Sequence, residues 1–268
     1  MLAAVSADGA RADLYLHGAH LTSWRPAGGD ERIFLSQRAA FAPDTAIRGG
    51  VPIIFPQFDR EGPLPRHGFA RVSEWKPVSA GAAAGGSAHA TLRLNDSAAT
   101  RAIWPQSFVV ELTVTVGGAV LEIALTVRNA GASAFAFTGA LHTYLRVDAV
   151  ETAVVDGLAG TRFHDKVAGG GVMRTQSGVL RIEAETDRVY IGAPDRVIVR
   201  EPLRALAVEK RGFADVVVWN PWDKGAELPD LEPDGFRYML CVEAAAVNTP
   251  IRLDPGEQWT GVQRLTVL

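Results

Sequence analysis

Residues 107–128 read SFVVELTVTVGGAVLEIALTVR, and no other run limits the possible folds so narrowly. Glu111, Thr113 and Thr115 alternate with Val110, Leu112, Val114 and Val116; beyond Gly117-Gly118, Val120, Glu122, Ala124 and Thr126 alternate with Leu121, Ile123, Leu125 and Val127. Successive side chains of a strand point to opposite faces, so this period of two predicts two half-buried strands, with the Gly-Gly pair as a two-residue hairpin turn. Strand-like pieces bounded by Gly, Pro and Asp recur at residues 14–16, 21–24, 32–35, 69–78, 88–94, 134–147, 179–185, 189–191, 197–200, 206–209, 216–219, 237–246 and 258–268. Only residues 223–231 invite a short helix or turn, and the Ala/Gly/Ser tract 79–87 reads as a flexible hairpin tip. Many short strands with turn signals and no alternating helices predict an all-β antiparallel sandwich or barrel. With no repeat and no break in composition over 268 residues, one domain spanning residues 1–268 is expected.

Charge and cysteine content narrow the partners. A net charge of -3 offers no basic excess for a phosphate backbone or anionic lipid, so neither nucleic acid nor a membrane surface is expected as a partner. The single cysteine, Cys241, excludes an internal disulfide and fits a reducing, cytoplasmic location. Neither a signal-peptide pattern at the N-terminus nor an apolar run of transmembrane length is present in the sequence.

Residues 46–71, AIRGGVPIIFPQFDREGPLPRHGFAR, are rich in Gly and Pro yet apolar through 51–55. A stretch this long and this apolar reads as a structured binding loop rather than a solvated linker. It carries cations: Arg48 before a Gly pair, then Arg66, His67 and Arg71 around Gly68. Local carboxylates, Asp44, Asp59 and Glu74, offer these arginines ordinary surface partners.

Period two across residues 139–147 places His142, Tyr144 and Arg146 on one face. His142 is either an ordinary satisfied histidine or a titrating group in a site. Glu243, in YMLCVEAAAV, is the lone ionised group among apolar neighbours and shares a face with Met239 and Cys241. Burial there should raise its pKa toward the range of a base catalyst, unless an arginine pairs with it. Asp187, in ETDRVY, has turn or cap chemistry as its simpler explanation. His17 and His20, in HGAH, lack further ligands at metal-site spacing. Trp219 and Trp222, in WNPW, are core aromatics or a platform for a sugar ring.

Taken in order, IRGGVPIIFPQF, RHGFAR, ALHTYL, TDRVY, VVWNPW and CVEAAAV resemble the hexose-6-phosphate mutarotases of the aldose 1-epimerase, or galactose mutarotase-like, family. The resemblance runs from the HGAHLTSWRP segment to the C-terminus. It implies a galactose mutarotase-like β-supersandwich of antiparallel sheets, acting as a monomer on a small-molecule sugar phosphate and interconverting its α and β anomers without metal or organic cofactor. It further implies His142 as general acid and Glu243 as general base. Asp187 would hold the sugar or the catalytic histidine, His67 would lie near the ring oxygen, Gln57 would reach a hydroxyl, and Arg48 and Arg71 would bind the phosphate. The charged run Asp59-Arg60-Glu61 departs from the family's Gly-containing segment at the pocket mouth.

Anomer exchange explains why such residue types are needed. The anomeric hydroxyl must lose a proton while the ring oxygen gains one, so an acid and a base must flank one carbon. A mutarotase of unphosphorylated aldoses and a non-catalytic carbohydrate-binding module are the rival readings. A metal-dependent cupin-type enzyme would need an HxH pair followed closely by Glu, which the sequence lacks.

Overall fold

The computed structural model describes residues 1–168 and 172–268. The alternation in residues 107–128 becomes the hairpin Phe108–Gly117 with Val120–Asn129, whose apolar residues are buried in strict alternation. Its turn is one residue later than the Gly-Gly pair suggests: Gly117 pairs with Val120, leaving Gly118-Ala119 as the loop. Gly118 takes a φ of 57°, the left-handed conformation that a tight hairpin of this kind demands.

This hairpin belongs to a nine-stranded sheet, whose order is Leu180–Arg181, Val154–Asp156, Arg196–Arg200, Ala205–Arg211, Gln258–Val267, Val120–Asn129, Phe108–Gly117, Ala88–Asn95, Lys76–Ala82. An eight-stranded sheet runs Val172–Thr175, Arg162–Asp165, Thr186–Tyr190, Asp215–Asn220, Met239–Leu253, Phe135–Leu141, Ile53–Ile54, with Tyr144–Arg146 also paired to Met239–Leu253. A three-stranded sheet, Leu2–Val5, Arg11–Tyr15 and His20–Arg25, completes the set. Each ladder between these strands is antiparallel. The main core draws on all three sheets, from Leu14 and Trp24 through Leu112 and Ile123 to Val242 and Ala244. This is the all-β sandwich of antiparallel sheets that the sequence predicts.

Several local expectations change. Residues 69–78 begin with a 3-10 turn, Ala70–Val72, before the strand Lys76–Ala82. Residues 179–185 supply only the two-residue strand Leu180–Arg181. Residues 134–147 form two strands, Phe135–Leu141 and Tyr144–Arg146, separated at His142-Thr143. The break follows from hydrogen bonding: the amides of His142 and Tyr144 donate to the carbonyls of Pro52 and Gly50 in the long loop. A short α-helix, Ala98–Ile103, is held by a Ser97–Thr100 capping box. The anticipated turn at 223–231 is the 3-10 segment Trp222–Glu227.

Candidate active site

Strand register builds the floor of the site. Leu141 pairs with Ala244 and Tyr144 with Cys241, so the ladder keeps step across the break and sets His142 opposite Glu243. Glu243 pairs on its other side with Val217, and Val217 with Val189. Two residues along, Tyr144, Cys241, Trp219 and Asp187 make the neighbouring row. Alternation brings both rows to one face of the eight-stranded sheet.

The loop of residues 46–71 covers that face. Gly50 presses against the ring of His20 and the carbonyl of Leu21, and Gly68 against the carbonyl of Phe55, so closely that a Cβ at either position would overlap them. His67 adopts a φ of 65°, a conformation uncommon outside glycine and often found where a side chain is aimed at a ligand. Together loop and sheet enclose a pocket of about 210 Å³. Arg48, His67, Arg71, His142, Asp187 and Glu243 all line it.

Gln57 does not. Its Nε2 donates to the carbonyls of Asp59 and Leu64 and its Oε1 accepts from the Leu64 amide, so the side chain braces the loop from within and has no free end for a sugar hydroxyl. Gln57 is therefore corrected from a hydroxyl contact to a brace of the loop. The carboxylate that the structure sets against His142 is Glu243, at 3.2 Å from its Nδ1, while Asp187 stands in the neighbouring row. Of the two tryptophans in WNPW, Trp219 lies on the strand Asp215–Asn220 and lines the pocket, whereas Trp222 packs on Phe236.

Burial dominates the electrostatics. Glu243 is 1 % exposed, and desolvation followed by the nearby Asp187 pushes its carboxyl well above the ordinary range. Desolvation, then His67, Arg71 and Arg48, holds the His142 imidazole well below its own. Nδ1 of His142, which lies 3.2 Å from Oε1 of Glu243, and the other carboxylate oxygen, Oε2, are both buried without a hydrogen-bond partner among the described residues. Buried polar atoms are normally satisfied, so an unsatisfied one on each of two adjoining pocket-lining side chains is the exception that a binding site accounts for.

The flanking groups are tuned in the same way. Desolvation raises Asp187 to about 6 despite the opposing charge of Lys166. His67 falls to about 3, through desolvation and then Arg71 and Arg66, so it is neutral near pH 7. Its Nδ1 accepts from the Asp59 amide at 3.2 Å, which leaves Nε2–H as the donor available to a ligand.

The cations differ in how far they are already engaged. Arg48 donates from Nε to Asp230 at 3.1 Å and from Nη1 to the Tyr144 hydroxyl at 2.9 Å. Its partner is thus remote in sequence, unlike Asp44. Arg66 and Lys166 both bind Asp59, and Lys166 also reaches Glu61. The charged run that departs from the family pattern is therefore neutralised by cations across the pocket mouth. Arg71 donates only to the carbonyl of Arg66, with no carboxylate partner among the described residues; desolvation, despite the opposing pull of Tyr144, and then Arg48 and Arg66 lower it to about 10. A half-buried guanidinium crowded by others and lacking a counter-charge is poised for an anion.

Sequence reasoning missed Lys166, which lines the pocket from the end of the strand Arg162–Asp165, and left Tyr144 without a role. Only strand register, which sets Lys166 beside Asp187, shows the first; its amide donates to the Asp187 carbonyl. The alternation of ALHTYL, which puts Tyr144 on the face of His142, was the signal for the second.

The aldose 1-epimerase family model matches residues 2–266. A protein of Cenchrus ciliaris with the name "Putative glucose-6-phosphate 1-epimerase" is 38% identical over 262 residues, covering 93% of this chain and 79% of its own length. One of the same name from Escherichia coli K12 is 36% identical over 241 residues, covering 88% and 79%. The crystal structure of a "putative mutarotase" from Salmonella typhimurium superposes with a TM-score of 0.89 at 31% identity, covering 96% of this chain and 87% of that one. With a match over nearly its whole length, the chain belongs to the aldose 1-epimerase family.

Proposed function

We propose that this protein interconverts the α and β anomers of a hexose 6-phosphate by general acid–base ring opening and reclosure. The observation that carries the reading is the buried His142–Glu243 pair, 3.2 Å apart, at the foot of a pocket rimmed by Arg48, Arg66, Arg71 and Lys166. The relatives' names point to the same substrate class.

In the ring-closed complex the His142 imidazolium gives its proton to the ring oxygen as the Glu243 carboxylate takes the proton of the anomeric hydroxyl. The bond from C1 to the ring oxygen breaks and the C1 carbonyl forms. Rotation about C1–C2 presents the other carbonyl face, and the transfers then run backwards: the C5 hydroxyl attacks C1 and returns its proton to the imidazole, while the Glu243 carboxylic acid protonates O1. Ring opening thus converts a charged pair into a neutral one, and burial favours the neutral state. The same burial holds the resting pair neutral, so the imidazolium–carboxylate form that opens the ring is a minor one. Asp187 and His67 supply an acceptor and a donor for the sugar hydroxyls and ring oxygen. Arg71, with Arg48 beside it, takes the phosphate.

The test is the rate of anomer exchange, read by NMR exchange spectroscopy, for glucose 6-phosphate and glucose. Arg71→Ala should lower kcat/KM for the phosphorylated sugar by roughly tenfold or more, the loss of a charge-assisted contact, and affect the free sugar far less. Equal losses on both sugars would leave a mutarotase of unphosphorylated aldoses, and no exchange by the wild type would leave a binding module.

A further inference from the structure

Tyr144 is 2 % exposed and touches both ends of the site. Its ring lies flat on the imidazole of His142, with centroids 4.9 Å apart and planes 12° from parallel. Trp219 meets the same imidazole edge-on at 5.9 Å, and His67 approaches it at 5.9 Å, so the His142 ring is boxed on several sides. The Tyr144 hydroxyl accepts from Arg48 Nη1 at 2.9 Å, while Asp230 holds Nε of the same guanidinium at 3.1 Å. These two acceptors fix the plane of the guanidinium and leave its Nη2 donors for an anion. The tyrosine itself is immobilised by its backbone: its amide donates to the carbonyl of Gly50, two residues beyond Arg48, and its carbonyl accepts from the Phe34 amide.

We propose that Tyr144 is a positioning residue with two separable tasks: its hydroxyl orients Arg48 for the substrate phosphate, and its ring fixes the plane of the His142 imidazole against Glu243. The proposal rests on the phosphate reading given above. The anion end and the proton-transferring end of the pocket then share one rigid side chain, and the arrangement predicts that removing either half of it has a different kinetic signature.

The two halves are tested by Tyr144→Phe and Tyr144→Leu, with kcat and KM measured on glucose 6-phosphate and on glucose. Tyr144→Phe keeps the ring and removes the hydroxyl. It should raise KM for the phosphorylated sugar, so that its kcat/KM falls about tenfold further than that of glucose, the scale of one hydrogen bond to a charged group. Tyr144→Leu removes the flat face. It should lower kcat on both sugars by about tenfold or more, the penalty for a misaligned acid. Should Tyr144→Leu fail to fold, Tyr144→Met fills the volume without a planar surface and serves the same comparison. A purely structural tyrosine would lower the melting temperature without separating the two sugars or separating KM from kcat, and that result overturns the proposal, as does a Tyr144→Phe variant that loses equally on both. Failure of the underlying reading shows itself differently, as a wild type that does not prefer the phosphorylated sugar.

Discussion

At the residue scale, the site holds carboxylates where water would have kept them charged at low cost. Glu243→Gln keeps the shape but cannot accept a proton, so turnover should fall by about 10²-fold or more with little change in binding, as measured by exchange NMR and by titration with substrate. Because burial raises the folded-state pKa of Glu243 above its unfolded value, its contribution to stability is present at acid pH and is lost as pH rises through the folded pKa. The inactive Gln variant should therefore be the more stable protein at neutral pH, as is common where an active site is strained for function. Asp187 behaves likewise within a defined window, from the ordinary 3.8 to about 6. Asp187→Asn should gain on the order of 1–2 kcal/mol at pH 7.5 after allowance for its partial exposure, and nothing below about pH 4, in denaturant titrations at the two pH values. A gain that persists at acid pH would assign the effect to packing instead. Glu243 was legible in the sequence because one carboxylate in an apolar period-two run is costly wherever it lies. The expectation for Gln57 rested on the resemblance alone, because an amide beside a proline-rich turn looks the same whether it points at a ligand or, as here, back at Asp59 and Leu64.

At the element scale, the break between Phe135–Leu141 and Tyr144–Arg146 left no mark in the sequence, since the alternation passes through it without a shift of register. Besides the long loop, the opposite sheet holds the break in shape. Gln263, fully buried on the strand Gln258–Val267, accepts from the Thr143 hydroxyl at 2.5 Å and donates to the carbonyl of Val242 at 2.9 Å. Thr143 and Val242 follow and precede His142 and Glu243, so the amide clamps the row immediately behind that pair. Gln263→Leu leaves a buried hydroxyl and a buried carbonyl short of a partner and should cost about 1–3 kcal/mol in urea unfolding. Adding Thr143→Val removes one of the stranded groups, and the double variant should lose less than the sum of the two single losses. Strict additivity would mean that the two side chains do not act together. Leu2–Val5 and Val154–Asp156 were not read at all, because neither LAAV nor VVD alternates between polar and apolar residues.

At the scale of the whole molecule, the antiparallel sandwich was legible because long alternating strands such as Phe108–Gly117 and Val120–Asn129 exclude other classes. The pairing of strands distant in sequence was not, since it depends on tertiary register; that pairing is what gathers cations into one pocket of a chain whose net charge is -3. The concentration of charge has a chemical consequence beyond anchoring a phosphate. After desolvation, the largest cause, the charges of Arg71 and Arg48 keep His142 from taking up a proton near neutral pH, and a dianion seated on the two arginines cancels much of that field. Phosphate binding should thereby raise the fraction of His142 in its acid form, and a rise of one pKa unit increases that fraction about tenfold where the group is mostly neutral. The dianion need not be attached to the sugar. With D-xylose, which has no sixth carbon, millimolar inorganic phosphite should increase the rate of anomer exchange saturably, by up to about tenfold, and shift the acid's limb of the pH profile upward. Sodium chloride at matched ionic strength should give no such increase, because it screens the cations without seating a dianion. Arg71→Ala should abolish the activation while the unactivated rate on xylose changes less. Competitive inhibition by phosphite, with an unmoved pH profile, would mean that the phosphate site anchors the sugar and leaves the proton chemistry untouched.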